Sequence, residues 1–194
     1  ANPLVYAHDM YLSGSLITEI VIPETVIQIK PFTFYGGSFT SVTIPAGLQT
    51  VGREAFSDCT SLEGVNIGDL EAWCNIDFLY GSGANPLTNA RDLYLNGEKI
   101  TDLVIPQSVT EIKSVSFSGG RFTSVTIHNG VTVMGSSAFA GGSVQKISLP
   151  LEPFGNMENG RLSDIFNTTS VPESLQEVVL TNGTVLYSGM FGGC

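Results

Sequence analysis

The chain has 194 residues and a mass of 20.6 kDa, with 18 acidic and 8 basic side chains, a formal net charge of −10 and a pI of about 4.4. This charge disfavours nucleic acid and anionic membrane surfaces as partners, because both are polyanions that need Lys and Arg. With 13% charged residues, 42% hydrophobic residues and 22 glycines, the composition excludes a disordered chain and a long surface helix, and indicates turn-rich β structure.

From its first residue the sequence repeats itself at an offset of 83 residues. Residues 1–59 align with residues 84–142 at 30 identical positions out of 59. The segment from Phe39 to Ile44, for example, recurs without change from Phe122 to Ile127. Half identity over this length indicates an internal duplication.

Inside each long copy lies a shorter unit of about 22 residues with the pattern apolar-x-x-apolar-x-apolar. Its last two apolar positions alternate with one polar or small residue, which predicts a short strand with one buried face. A Pro or Asn-Gly turn signal follows most of these strands. The pattern occurs at Ile17/Ile20/Ile22, Phe39/Val42/Ile44, Leu62/Val65/Ile67, Ile100/Leu103/Ile105, Phe122/Val125/Ile127, Val144/Ile147/Leu149 and Leu175/Val178/Leu180.

One such unit cannot cover its own apolar side, so we expect neighbouring units to stack and their strands to pair in parallel. The predicted fold is a mainly β repeat solenoid with inserted β-hairpins. Residues 45–61 are expected to form the opposite wall as short extended pieces or tight turns, because glycines and a polar run disfavour a regular helix there.

The first interruption of the repeat covers about residues 68–99. Asp69 before Leu70 predicts a short capped helix, and Asn85-Pro86 predicts the start of a second one. Asn96-Gly97 lies between alternating apolar runs and predicts an antiparallel hairpin that brings residues 92–97 against residues 100–105. Residues 9–22 are expected to form its first copy.

The second interruption, about residues 151–174, is expected to be an ordered loop or short hairpin anchored by Phe154 and Phe166. Ala1 aligns with Ala84, which lies within the first interruption, and Cys194 aligns with Cys59, which lies in the middle of a repeat. We therefore expect residues 1–194 to be a single solenoid and a fragment of a larger array.

The string from Val42 to Leu62, Val-Thr-Ile-Pro-Ala-Gly-Leu-Gln-Thr-Val-Gly-Arg-Glu-Ala-Phe-Ser-Asp-Cys-Thr-Ser-Leu, resembles the repeat of BspA-like bacterial leucine-rich-repeat proteins. The resemblance covers almost the whole chain. Gly37, Gly120 and Gly142 stand where that repeat has Cys, and His128 stands where it has Pro. The resemblance implies a right-handed leucine-rich-repeat superhelix with a parallel sheet on its concave face and an irregular convex face. It also implies a non-catalytic adhesion or protein-interaction module at the surface of a bacterium or outside it.

Side chains between the buried strand positions point outward, so they form a polar stripe along the predicted sheet. We predict that this stripe binds a protein partner, either a host matrix protein or another surface protein. A plain solvent-facing role remains the alternative for each residue. The predicted partner-binding residues are Glu19, Ser41, Thr43, Asn66, Asp102, Ser124, Thr126, His128, Lys146 and Ser148.

Glycan binding, to a host or cell-wall glycan, is the alternative function. Tyr11 and Tyr94 recur at outward positions of the two hairpins, and exposed aromatic rings can serve as sugar platforms. A scaffold role, in which each ring covers a neighbouring loop, is the other interpretation of the same pair.

The sequence indicates neither catalysis nor a cofactor. Cys59 occupies an inward repeat position and Cys74 follows Trp73 on the predicted helix, so both thiols are expected to be buried rather than nucleophilic. The two histidines and the spacing of the acidic residues match no metal motif. No apolar run reaches the length that a bilayer-spanning helix needs, so no membrane insertion is expected in this segment.

Overall fold

The computed structural model describes residues 9–156, 161–167, 171–183, 186 and 189–192. The chain divides into two compact units, Ala1–Lys99 and Ile100–Cys194. We call them the first unit and the second unit, and each is described by itself. The prediction of one solenoid over residues 1–194 stays a prediction. The segment Asn-Pro-Leu at residues 2–4, which recurs at residues 85–87, lies outside the described residues in its first copy.

The first unit contains ten short strands and three short helical segments among its described residues. The strands are β1 (Tyr11–Leu12), β2 (Ser15–Leu16), β3 (Glu19–Val21), β4 (Gln28–Ile29), β5 (Ser41–Ile44), β6 (Thr50–Val51), β7 (Gly64–Ile67), β8 (Asp77–Phe78), β9 (Asp92–Leu95) and β10 (Glu98–Lys99). The helices are α1 (Leu70–Cys74), the 3₁₀ segment Ser82–Ala84 and α2 (Leu87–Ala90).

The main sheet of the first unit has the strand order β10-β9-β7-β5-β3. Strands β3, β5, β7 and β9 pair in parallel, as the repeat pattern predicts. The register aligns the apolar positions, with Val42 opposite Val65 and Val65 opposite Leu93. All three side chains are buried, so the sheet turns one apolar face into the core.

A second parallel sheet of two-residue strands, β4-β6-β8, lies between successive main strands in sequence. Its inward residues Ile29, Val51 and Phe78 are buried. Tight turns follow these strands and stack through backbone hydrogen bonds, for example from Phe34 N–H to the Ala55 carbonyl at 2.9 Å. Residues 45–61 thus form short extended pieces and turns without a regular helix, which confirms the prediction.

The second unit repeats this arrangement. Its main sheet has the order β11-β13-β15-β16, with all neighbours parallel, and its short sheet pairs β12 with β14. The elements are β11 (Asp102–Val104), β12 (Glu111–Ile112), β13 (Arg121–Thr126), β14 (Val133–Met134), β15 (Ser143–Leu149), the 3₁₀ helices Glu152–Asn156 and Leu162–Phe166, and β16 (Glu177–Leu180).

Phenylalanines fill the core of each unit between the two sheets. In the second unit Phe117 stacks on Phe139, with ring centroids 5.5 Å apart, and meets Phe122 edge-on at 6.1 Å. Gly120 lies so close to the Phe122 ring that an added Cβ would be 2.5 Å from a ring carbon, and Gly37 has the same relation to Phe39 at 2.4 Å. These contacts explain why glycine replaces the Cys of the repeat at both positions.

Both predicted helix starts are present in the first unit. The Asp69 carboxylate accepts a hydrogen bond from Ala72 N–H at 3.1 Å, which caps α1. The carboxamide oxygen of the buried Asn85 accepts from Leu87 N–H at 2.9 Å, and α2 begins one residue after Pro86.

The second interruption forms two 3₁₀ helices rather than a hairpin. Phe154 and Phe166 are both buried, so the predicted anchors are confirmed. Leu162 and Ile165 fall on one side of the second 3₁₀ helix, because this geometry brings residues three apart into line. Both side chains are buried.

The two predicted hairpins are present, and they are shorter than expected. Strand β1 pairs antiparallel with β2, and β9 pairs antiparallel with β10 across Asn96-Gly97, where both residues have positive φ. Residues 100–105, however, do not form the second arm of the hairpin. Strand β9 is instead also the next parallel strand beside β7, because Ala90-x-x-Leu93-x-Leu95 supplies the repeat pattern with alanine at its first position.

Candidate recognition surface

Three residues of each repeat unit lie between its inward apolar positions, two before the second apolar residue and one after it, and they border the outer face of the main sheet. We call these surfaces the first and second sheet faces. The strand register aligns a middle row and a third row across each face. These rows are Glu19/Ser41/Gly64/Asp92 and Val21/Thr43/Asn66/Tyr94 on the first sheet face, and Asp102/Ser124/Lys146/Glu177 and Val104/Thr126/Ser148/Val179 on the second. The residue before each middle-row position is exposed or half-buried, and these residues form the first row: Thr18/Thr40/Glu63/Arg91 and Thr101/Thr123/Gln145/Gln176.

Nine of the ten predicted partner-binding residues lie on these faces. They are divided between the two units, with four on the first sheet face and five on the second. All nine are exposed or half-buried, so their polar groups face solvent. Their role in binding stays a prediction.

His128 is the tenth residue, and its side chain is bound to the backbone. Nδ1 accepts a hydrogen bond from Gly130 N–H at 3.0 Å, which leaves Nε2 to donate to the Pro106 carbonyl at 2.9 Å. Both ring nitrogens therefore hold the turn after β13, in the place where the repeat has proline. We leave His128 out of the sheet faces.

The second sheet face contains an open hollow lined by polar side chains. The Asp102 carboxylate accepts a hydrogen bond from Ser124 Oγ at 2.5 Å, and Lys146 Nζ lies 3.0 Å from Glu177 Oε1. These contacts run along the middle row and link neighbouring strands in pairs. The hollow therefore presents carboxylate, hydroxyl and ammonium groups from four neighbouring strands.

The hollow also includes Thr123, Gln145 and Gln176, which are not among the predicted partner-binding residues. Strict alternation predicts one outward position before each second apolar residue, whereas both residues at that place line the hollow, for example Thr123 and Ser124. The sequence signal for Thr123, Gln145 and Gln176 is that two residues, rather than one, separate the first two apolar positions of the repeat pattern.

On the first sheet face, the Tyr94 ring occupies the space that corresponds to the hollow of the second sheet face. An added Cβ on Gly64 would be 3.1 Å from Cε2 of Tyr94, so the ring lies over the glycine. On the neighbouring outward position, Asp92 accepts a hydrogen bond from Lys99 Nζ at 2.7 Å. The scaffold interpretation of Tyr94 agrees with this packing, whereas Tyr11 in the first hairpin is 63% exposed.

The two described cysteines are buried and poorly suited to nucleophilic attack. Burial raises the pKa of the Cys59 thiol to about 11, and its Sγ donates to the Phe34 carbonyl at 3.0 Å. Burial, together with the Glu71 and Asp69 carboxylates, raises the pKa of Cys74 to about 12. The thiolate, which is the reactive species, is disfavoured at both positions. Cys194 lies outside the described residues.

In the part of the chain that the structure describes, no three His, Cys, Asp or Glu side chains are grouped closely enough to hold a metal ion. None of the helices within the described ranges has the length and apolar composition needed to cross a bilayer.

Repeated parallel strands, short strands on the opposite side and buried apolar positions at a fixed spacing define a leucine-rich-repeat type of fold. Residues 8–77 and 90–194 match the BspA type leucine rich repeat region in six copies. The chain belongs to this family.

Two solved structures are similar to the chain. One is a leucine rich cell surface protein from Faecalibacterium prausnitzii A2-165, with 16% identity and a TM-score of 0.38 over 83% of this chain and 53% of that one. The other is a leucine-rich repeat protein from Eubacterium ventriosum, with 13% identity and a TM-score of 0.25 over 88% of this chain and 84% of that one. The chain thus spans about half the length of the first. A comparison with curated proteins found no match.

Proposed function

We propose that the chain is a non-catalytic protein-interaction module of a bacterial surface or secreted protein, and that its sheet faces are the recognition surface. The observation that carries this proposal is the alignment of outward side chains in continuous rows. On the second sheet face these rows surround an open hollow lined by hydroxyl, amide and charged groups, some of which are paired across neighbouring strands.

The physical argument rests on rigidity and exposure. A parallel sheet holds its outward side chains at a strand spacing of about 4.8 Å, so a partner meets preorganised groups and loses little free energy in ordering them. Extended surfaces of this kind are the binding surfaces of repeat proteins. The buried thiols agree with a role that needs no nucleophile.

Substitution of the central threonines tests the proposal. Thr43→Lys and Thr126→Lys together place a long cation in the third row of each sheet face. We expect binding to an array of purified extracellular matrix proteins to be lost, with an unchanged thermal midpoint. Thr110→Lys is the matched control, because Thr110 is exposed and directly precedes the short strand β12.

A second array, of polysaccharides, tests the alternative function. Binding to a polysaccharide array that is lost with Tyr11→Ala and Tyr94→Ala would favour a carbohydrate-binding module and contradict the proposal. Binding to matrix proteins that survives both threonine substitutions would also contradict it. The proposed location is tested by labelling intact cells of the producing bacterium with an antibody to this chain.

A further inference from the structure

Each sheet face carries an exposed valine two residues after a carboxylate, at equivalent positions of the two long repeats. In the first unit these are Glu19 and Val21 on β3, and in the second unit Asp102 and Val104 on β11. Val21 is 71% exposed and Val104 is 57% exposed. We call each combination a carboxylate–valine pair.

The geometry of a strand places the two side chains of a pair on the same face, about 6.6 Å apart along the chain. On the neighbouring strand, a serine lies opposite the carboxylate and a threonine lies opposite the valine. These are Ser41 and Thr43 in the first unit, and Ser124 and Thr126 in the second. Each exposed valine is therefore bordered by a carboxylate on its own strand and by hydroxyl groups on the neighbouring strand.

In the second unit the donors to the carboxylate are neutral. Asp102 accepts from Ser124 Oγ at 2.5 Å and from Thr101 Oγ1 at 3.2 Å, which orients the group without cancelling its charge. Lys146, two strands away, is held by Glu177 at 3.0 Å. Each carboxylate oxygen has two lone pairs, so it can accept a further charge-assisted hydrogen bond.

We infer that each carboxylate–valine pair receives a lysine or arginine side chain of the partner protein, and this inference rests on the proposed function. The aliphatic stem of such a residue covers the valine while its charged head reaches the carboxylate. Lys and Arg combine a long apolar stem with a permanent cation, so they cover the valine and also neutralise the carboxylate. The net charge of −10 attracts basic segments over a longer range and increases their association rate.

A random dodecapeptide library selected against the full chain tests the inference. We expect the enriched peptides to contain Lys or Arg above the library frequency. Their affinity should fall about tenfold with Glu19→Gln and Asp102→Asn together, and it should weaken as salt rises. Val21→Ser and Val104→Ser together should also weaken binding, which a contact made through charge alone would not predict.

Glu111→Gln is the matched control, because Glu111 is an exposed carboxylate on the short strand β12. Circular dichroism checks that every variant keeps its fold. The inference would be overturned by peptides that are not enriched in Lys or Arg, that lose binding to the Thr43→Lys and Thr126→Lys variant, and that bind the Glu19→Gln and Asp102→Asn variant unchanged. Such peptides would leave the proposed function intact. A library that yields no peptide sensitive to the two threonine-to-lysine changes would overturn both.

Discussion

The two units share one fold and carry different sheet faces. Their middle rows begin alike, with Glu19 and Ser41 in the first unit and Asp102 and Ser124 in the second, and they diverge at the third strand. There the first unit has Gly64 beneath the Tyr94 ring, while the second has Lys146 paired with Glu177 beside an open hollow.

This difference shows how a duplicated repeat can change its surface without changing its core. The inward positions of the strands are apolar in both copies, because the fold needs them buried. The outward positions are free of that requirement. One glycine and one tyrosine close a space that, in the other copy, polar residues leave open.

The largest expected difference between the units is in the free energy of unfolding lost when the equivalent core residues Phe34 and Phe117 are replaced. Both rings stack on a neighbouring phenylalanine, but Phe117 is fully buried and Phe34 is half-buried. We expect Phe117→Ala to lower the free energy of unfolding by about 3–5 kcal/mol. Phe34→Ala should cost about 2 kcal/mol, because less apolar surface is lost. Urea unfolding followed by circular dichroism measures both.

Val133→Ala serves as the control, because Val133 is 40% exposed, and its effect should stay within about 0.5 kcal/mol. Equal losses for the two phenylalanine variants would show that the two cores are equally sensitive and that partial exposure of Phe34 has no energetic consequence.

The next largest expected effect is the coupling free energy between Gly64 and Tyr94, which a double-mutant cycle measures. Gly64→Ala should destabilise the native chain, because the added Cβ would lie 3.1 Å from the tyrosine ring. In a Tyr94→Ala background the same change should be stabilising, since alanine costs less backbone entropy than glycine in a strand. We expect a coupling energy of about 1 kcal/mol from urea unfolding of the four proteins.

If Gly64→Ala has the same effect in both backgrounds, the ring does not depend on the glycine and the closed surface of the first unit has another cause. Gly68→Ala is a suitable control, because the nearest atom that its Cβ would meet is the Asn96 Oδ1 at 4.0 Å.

The sequence predicted the repeating strands well because burial of a short apolar pattern is a local and periodic requirement. The hairpin arm β9 was predicted, but its parallel pairing with β7 was not, because the first apolar position of its repeat is Ala90, a residue too small to stand out in the pattern. The two 3₁₀ helices of the second interruption had no periodic signal, since each has only five residues.

The candidate surface was less predictable than the strands. Alternation predicts that Tyr94 points outward, but only the structure shows that the ring covers Gly64, a contact between residues 30 positions apart. For His128, alternation was the wrong guide, because the strand ends at Thr126 and the ring turns back to the backbone. Contacts across strands depend on register and side-chain size, which no local pattern contains.

The smallest expected effect concerns the ion pair that distinguishes the second sheet face. Lys146 and Glu177 are 48% and 54% exposed in their side chains, so water screens the attraction between them. We expect Lys146→Met to change the free energy of unfolding by no more than about 0.5 kcal/mol in urea unfolding. The same change makes the second sheet face more negative, so selected basic peptides should bind it more tightly at low salt. Glu177→Gln should have as small an effect on stability and should weaken that binding. A stability loss well above 1 kcal/mol for either variant would show that the pair supports the sheet itself, and the contrast between a closed first face and an open second face would then be partly a difference in structural support.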